Sequence, residues 1–176
     1  MHVHAPRILA VALLASACGL ANGAARTTTF AVSATVVSNC IISSAATLAF
    51  GNYTPGAGMV DQTSIITVRC TNGTPYGIGL NAGTGAGSTI GQRTMSSATV
   101  TGRLQYNLYN TAARTNPVWN NPGAAAATAR TQGGVGTGLG NVINHTVYGR
   151  LQDSATSQAA TPANNYTSTI TVTVTY

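Results

Sequence analysis

Residues 166–176 read YTSTITVTVTY, and this stretch decides the fold class. Threonine stands at every odd position from 167 to 175, and mostly bulkier side chains stand between. Successive side chains of a β-strand point to opposite faces, so a period of two predicts a strand that buries one face. The face opposite the threonines consists of Tyr166, Ser168, Ile170, Val172, Val174 and Tyr176.

The same period of two recurs upstream. Alternating segments lie at 64–70, 76–80, 104–108 and 145–151, and stretches rich in Asn, Pro and Gly separate several of them. Many β-branched residues with such turns between them are typical of antiparallel sheets, so we predict an all-β sandwich. No amphipathic helix is predicted, because the Ala-rich run at 124–130 is too short to be stable alone.

The segment before Cys40 alternates in the same way. Phe30, Val32, Ala34 and Val36 fall on one side, with smaller and mostly polar residues between them. We therefore predict an N-terminal strand within residues 26–39 that has one apolar row. The main domain is then expected at 40–176.

The first 25 residues are predicted to be a cleaved signal peptide. Arg7 precedes an apolar run at 8–20, and small residues follow at 21–25. These are the three parts of a secretory signal, and the run is shorter than the ~20 residues that cross a bilayer. No membrane insertion is expected after cleavage. Acylation at Cys18 is an open alternative, because small residues precede it.

Without the signal, the chain would be basic but carry few charges. Seven arginines and two aspartates remain, and the sequence has no lysine and no glutamate. Nucleic-acid binding is not predicted, because that function needs clustered basic residues. We interpret the dispersed arginines as a surface feature that favours solubility: Arg69, Arg93, Arg103, Arg114, Arg130 and Arg150.

Two cysteines remain after signal cleavage, Cys40 and Cys70. In an oxidising compartment an even pair predicts a disulfide. Closing a loop of 30 residues would stabilise the fold by ~3–4 kcal/mol in the chain-entropy model. A metal site is not predicted, since His145 is the single histidine outside the signal.

Candidate catalytic residues are few. Asp61 and Asp153 are expected in separate turns, and no glutamate can pair with either. His145 occupies an alternating strand position, and no G-x-S-x-G motif supplies a nucleophile. The glycine runs at 83–91 and 133–140 match neither the G-x-G-x-x-G motif nor the P-loop, the two glycine-rich motifs that bind phosphate. We therefore predict no enzymatic activity and no cofactor.

Two segments, 82–101 and 110–142, are rich in Gly, Ala, Thr and Asn and long for loops. They are expected to be surface loops or short irregular strands, with binding loops as the alternative. Trp119 and Tyr109 could stack on a sugar, but a lone tryptophan beside a turn favours a core position.

Six short motifs lie along the chain in a fixed order. They are FAVSATV at 30–36 before Cys40, LAFGNY at 48–53, VRC at 68–70, RLQYNLY at 103–109, VYGR at 147–150 and TVTVTY at 171–176. In these motifs the chain resembles the spore coat protein U domain family, which includes subunits of archaic (Csu-type) chaperone–usher pili. It departs from that family after Trp119, where Asn-Asn-Pro follows, and at Ser168, where the family often has an acid.

The resemblance implies an immunoglobulin-like sandwich that lacks its final strand. A groove beside the terminal strand would be lined by Ile170, Val172, Val174 and Tyr176. A periplasmic chaperone would fill it first, and an outer-membrane usher would exchange the chaperone for the N-terminal strand of the next subunit. The residues entering the groove would be Phe30, Val32, Ala34 and Val36.

This resemblance predicts a structural subunit of a surface fibre, exported through the periplasm and supporting adhesion or biofilm formation. A stalk position is preferred to a tip position, because about 151 residues leave no room for a receptor domain. Three alternatives stay open. The N-terminal strand could complete its own domain, the protein could be a monomeric secreted or spore-coat protein, or it could be a carbohydrate-binding module.

Overall fold

The computed structural model describes residues 23–121 and 132–176. Most of the predicted signal peptide, including Cys18, lies outside the described residues, as does the Ala-rich run at 124–130. The chain divides into two units, Met1–Thr35 and Val36–Tyr176. No helix in the described part of the chain has the length and apolar character needed to span a membrane.

The predicted N-terminal segment 26–39 is not a strand in the described part of the chain. Residues 23–35, the described part of the first unit, contain no helix or strand, and all their side chains are exposed. Residues 36–39, at the start of the second unit, are also exposed and outside any strand. Pairing of residues 26–39 with another chain remains a prediction.

Strands dominate the described part of the second unit. The elements are β1 (Cys40–Ala45), β2 (Val60–Cys70), β3 (Pro75–Leu80), β4 (Arg93–Ser96), β5 (Arg103–Tyr109), β6 (Gln132–Val135), β7 (Ile143–Leu151), the one-turn helix α1 (Ala155–Gln158) and β8 (Val172–Thr175). The first sheet has the order β1-β2-β7-β5-β4 and the second has the order β6-β3-β8. Every pairing is antiparallel, so the predicted all-β, immunoglobulin-like sandwich is confirmed. The two Gly-rich segments contain β4 and β6.

One apolar core lies between the sheets, and the period-two pattern explains its membership. In β2, Ile66, Val68 and Cys70 are buried while the residues between them are more exposed. In β3, Tyr76, Ile78 and Leu80 face the same core from the other sheet. The interior is thus built from the alternate positions of facing strands, as in other sandwiches.

The terminal strand is shorter than the predicted 166–176. β8 covers Val172–Thr175, whereas Thr167 forms an isolated bridge with Ser96 of β4. The chain therefore passes from the edge of the first sheet to β3 in the second. One continuous strand cannot pair with both sheets, which explains the break.

The acidic residues do not lie in two turns as expected. Asp61 lies in β2, where Arg150 of β7 donates two hydrogen bonds to its carboxylate at 2.7 and 2.8 Å. Cross-strand pairing places these residues directly opposite each other. Asp153 follows β7, and the hydroxyl of Tyr53 donates a hydrogen bond to it.

The interpretation of the arginines as surface groups is wrong for two of them. Arg93 is 0% exposed. The Arg114 side chain is 14% exposed; its Nε donates to the Gly149 carbonyl at 3.1 Å, and it lies 5.4 Å from the Tyr148 ring centroid. In both cases backbone carbonyls accept the guanidinium hydrogens, which a sequence pattern does not reveal.

Candidate functional site

The second layer of the sandwich has a gap beside β8. On one side, residues 46–53 leave β1 and cross the inner face of the first sheet, where Leu48 and Phe50 lie over Gly149. A Cβ at that glycine would be 2.7 Å from Leu48 Cδ1 and 3.1 Å from Phe50 Cζ, so the close approach requires glycine. On the other side runs the segment 166–175, which ends in β8.

Two adjoining cavities, of about 360 and about 700 Å³, occupy this gap. They share the lining residues Thr47, Leu48, Phe50, Met95 and Ser168. The two cavities are therefore one continuous depression, which we call the open groove. Its walls are residues 45–53 and 166–172, and its floor is the inner face of the first sheet.

The floor of the open groove is apolar. The smaller cavity lies over Ile66, Tyr106 and Val147, and the larger over Leu104 and Leu151. None of the described side chains lining either cavity is Asp, Glu, Lys, Arg or His. Burial raises the pKa of Tyr106, as expected for a phenol in a dry site. The groove suits an uncharged apolar ligand or chain segment.

Core-facing side chains of β8 are not fully covered. Val172 lies opposite Leu80 and Val174 opposite Ile78. Residues directly opposite in an antiparallel pair share one face, so all four point into the sandwich. Leu80 is 1% exposed and Ile78 is 0% exposed, whereas both valines stay partly exposed.

In β1, too, side chains that lie opposite buried core residues are exposed. Ile42 of β1 lies opposite Val68, which is 0% exposed, yet Ile42 is 36% exposed. Ala45 lies opposite Ile66, which is 3% exposed, yet Ala45 is exposed. Two rows of side chains that face the interior thus lack the element that would cover them.

The backbone at this gap is also open. β8 pairs with β3 along one edge, and among the described residues no strand pairs with its other edge. Unpaired N–H and C=O groups along an edge are a template for an added strand. Of the predicted groove-side residues, Ile170 and Val172 line the groove, Val174 packs on the core, and Tyr176 lies half exposed beyond β8.

The predicted apolar row at the N-terminus is accessible. Phe30 is 87% exposed, Val32 is 85% exposed and Val36 is 86% exposed, and Ala34 is exposed as well. Such large apolar side chains in water are a feature of binding segments rather than of folded surfaces.

The chain is held firmly where this row ends. The β1–β2 ladder continues to Asn39, whose carbonyl accepts a hydrogen bond from Thr71 N at 2.9 Å. The Asn39 N–H donates to Thr71 Oγ1 at 3.0 Å. The predicted disulfide follows directly, between Cys40 and Cys70, a cross-strand pair of β1 and β2. The base of residues 26–39 is therefore fixed to a central strand.

His145 and Trp119, which were considered as catalytic and sugar-binding residues, are both buried in the sandwich. His145 is 6% exposed and bonds to Tyr76 and Gln132. Trp119 is 0% exposed and donates Nε1–H to the Ile78 carbonyl at 2.8 Å, so its ring is not available to stack on a sugar. Nowhere in the described ranges do three His, Cys, Asp or Glu residues come together as a metal site would require.

Sequence reasoning missed one wall of the groove. The motif LAFGNY at 48–53 was noted without a structural role, although the alternation of Leu48 and Phe50 marks a segment with one apolar face. Gly149, which lets that segment approach β7, also carried no expectation. A glycine inside a strand is a signal for close approach of another chain segment, so both could have been anticipated.

The family of the chain follows from comparison with known proteins. No curated protein matches the sequence. A similar solved structure is the CsuC–CsuE chaperone–tip adhesion subunit pre-assembly complex from the archaic chaperone–usher Csu pili of Acinetobacter baumannii. The identity is 20% and the TM-score 0.49; the match covers 81% of this chain and 41% of that chain, so this chain spans about two fifths of that one. The family model for the Spore Coat Protein U domain matches residues 26–173, and the chain belongs to that family.

Proposed function

We propose that this protein is a structural subunit of a chaperone–usher surface fibre, joined to its neighbours by donor-strand complementation. The observation that carries the proposal is the pair of uncovered rows flanking the open groove. Ala45 and Val172 line the groove and lie opposite buried core residues, and yet both are accessible. A strand added between them would cover both rows and pair with the free edge of β8.

Residues 27–37 have the composition that such a strand needs. Eleven residues in extended form span about 36 Å at ~3.3 Å per residue. Phe30, Val32, Ala34 and Val36 recur at every second position, so one face would enter the groove. Burying each of the larger side chains contributes ~1.5–3 kcal/mol, offset by the entropy of ordering the strand.

A neighbouring subunit is a better recipient than the chain itself. Asn39 is held next to β1 by its two bonds to Thr71 and does not line the open groove, so residues 26–38 are attached to the sandwich at a point outside the groove. Folding back into its own groove would require a tight turn at residues 37–38 immediately before that anchor. Transfer to the next copy needs no turn, and head-to-tail transfer does not close on itself, so it builds a fibre.

The partners follow from the same geometry. An uncovered apolar groove with a free strand edge is prone to aggregate, so a periplasmic chaperone would protect it before assembly. An outer-membrane usher and neighbouring subunits of the same or a related kind complete the set. The fibre would lie at the cell surface, where it would support adhesion or biofilm formation, and we propose no enzymatic role.

A donor variant tests the proposal. Phe30→Asp with Val32→Asp puts two charges on the row that enters the groove, which is strongly unfavourable in an apolar site. We expect export, oxidation and chaperone binding to persist, and polymer ladders on unheated gels to disappear. The matched control, Ala31→Asp with Ser33→Asp, places the charges on the opposite face and should keep the ladder.

An acceptor variant completes the test. Val172→Asp charges the groove wall, and Thr173→Asp charges the outer face of the same strand as its control. Mixing the donor variant with the Val172→Asp chain should give dimers that grow no further, because each chain keeps one working half. If the donor variant loses protease resistance as a monomer, the strand completes its own domain and the proposal is wrong.

A further inference from the structure

A buried cation connects the two sheets. Arg93 of β4 is paired with Tyr106 of β5, so its side chain points into the sandwich. Its Nε donates to the Asn81 carbonyl at 2.9 Å, and its Nη2 donates to the carbonyls of Leu80 at 3.0 Å and Trp119 at 2.6 Å. One side chain of the first sheet therefore holds the end of β3 in the second sheet.

No carboxylate neutralises this guanidinium. The sequence contains two acidic side chains, Asp61 and Asp153, and each is engaged elsewhere. Burial lowers the pKa of Arg93 to about 10, which reflects the cost of removing its charge from water. Within the described residues its Nη1 also has no hydrogen-bond partner. Burial of this charge costs free energy, and its three hydrogen bonds to backbone carbonyls offset part of that cost.

The bonds continue from Arg93 to the groove wall. Asn81 donates its backbone N–H to the Thr171 carbonyl at 3.1 Å. Its Oδ1 accepts the Thr171 N–H at 2.9 Å and the Gly83 N–H at 3.0 Å. Thr171 lies immediately before β8 and between Ile170 and Val172, which line the groove. Arg93 thus sets the distance of this wall from the floor through Asn81.

We propose that Arg93 is a positioning residue that keeps the open groove open when it is empty. The inference rests on the proposed function, because an empty groove matters only if a strand must enter it. An apolar groove in water is driven to collapse, since closing it buries the side chains on its walls and floor. A rigid guanidinium bonded to three carbonyls opposes that collapse, because the sheets cannot approach without breaking those bonds.

The test measures entry of a strand separately from its retention. The full-length chain with Phe30→Asp and Val32→Asp serves as the background, because it cannot donate its own strand. A fluorescent peptide of residues 27–38 is the probe, and its anisotropy gives association and dissociation rates. If Arg93→Met leaves about a tenth of the chains open, association slows about tenfold. Dissociation should stay unchanged, since the inserted strand itself then holds the sheets apart.

Variants distinguish positioning from general stability. Tyr76→Phe removes the bond to His145 that joins the sheets away from the groove lining, and it should leave the association rate intact. Arg93→Lys keeps charge and reach with fewer donors and should restore part of the rate. If Arg93→Met is not recovered as a disulfide-bonded chain, Asn81→Ala, which removes the bond from Thr171 N–H, should slow association instead.

The outcomes separate the two proposals. If the background chain, which has native Arg93, does not bind the peptide, the proposal that the groove accepts a strand is wrong, and this inference is wrong with it. Uptake by the background at a rate that Arg93→Met and Asn81→Ala leave unchanged overturns the positioning role alone. Equal changes in association and dissociation would show a general structural role and also overturn it.

Discussion

The hydroxyl of Tyr76 in β3 lies 2.8 Å from Nε2 of His145 in β7 and bonds the two sheets through the core. His145 Nδ1 lies 3.2 Å from Oε1 of Gln132, and this amide oxygen can only accept a hydrogen bond. Nδ1 therefore carries the proton, and Nε2 accepts from Tyr76. The imidazole is neutral, and it serves as a polar contact between the two sheets.

This arrangement predicts a stability that falls in mild acid. Burial lowers the pKa of His145 from its ordinary value of 6.5, so below that pH the unfolded chain binds a proton that the folded chain does not. The free energy of unfolding should decrease as pH falls below 6.5, by at most ~1.4 kcal/mol per pH unit. Urea unfolding between pH 8 and pH 5 measures it. His145→Gln should remove the slope, and an unchanged slope in that variant would contradict the assignment.

Loss of the disulfide should destabilise the subunit substantially. Replacing Cys40 and Cys70 together by alanine removes the link that closes 30 residues, and the expected loss is ~3–4 kcal/mol in denaturant unfolding. Mass spectrometry of the unreduced exported protein should show the linked peptide pair. Two free thiols in that sample would exclude the bond.

Asp153 should stabilise the loop that ends the groove. Its carboxylate accepts hydrogen bonds from Tyr53 Oη, from Gly56 N at 3.0 Å and from Gly58 N at 2.9 Å. These bonds, that from Tyr53 first, lower its pKa to about 2. Asp153→Asn should lower the thermal midpoint at pH 7. The difference should shrink as pH falls from 3.8 towards about 2, because the unfolded chain then binds a proton that the native carboxylate does not.

Asp61→Asn is the control for that experiment. Asp61 pairs with Arg150 and, at 3.6 Å, with Arg114, and its own side chain is 37% exposed, so each ion pair contributes ~0–1 kcal/mol. Its effect on the midpoint should be smaller than that of Asp153→Asn. Equal effects on the midpoint would show that the hydrogen bonds from the loop to Asp153 do not contribute to stability.

Trp119 should behave as a fully buried fluorophore. It is the single tryptophan of the chain and is 0% exposed, so its emission should be blue-shifted and protected from acrylamide. Soluble oligosaccharides should leave the emission unchanged. Emission typical of a ring in water, together with a shift on adding sugar, would favour the carbohydrate-binding alternative.

The period of two predicted much of this fold. Val172 and Val174 alternate with threonines, and the sheet places them towards the core. The pattern could not show where pairing would begin, because Thr167 and Val172 alternate alike and pair with different sheets. Local periodicity reports which face is buried, whereas the partner strand depends on contacts far along the chain.

The position of Arg93 was beyond such reasoning for a different reason. A charged residue between glycine-rich stretches suggests a surface loop, and burial of arginine is rare. Three backbone carbonyls accept hydrogen bonds from Arg93 and so allow its burial. Because every residue has a carbonyl, the sequence does not show which ones will be arranged around an arginine. The apolar row that includes Phe30 and Val32, in contrast, could be predicted, because apolar residues at every second position are seen directly in the sequence.

Under the proposed function, a methyl group added at Gly149 would limit the length of the fibre. A Cβ at this position would lie 2.7 Å from Leu48 Cδ1 and 3.1 Å from Phe50 Cζ, and both of these side chains line the open groove. Gly149→Ala would therefore push the wall into the space that an incoming strand needs. A chain carrying that change would keep its own N-terminal strand and could still be added to a subunit already in place. It would then accept nothing itself, so a small admixture would act as a terminator, and mean fibre length would vary inversely with its proportion.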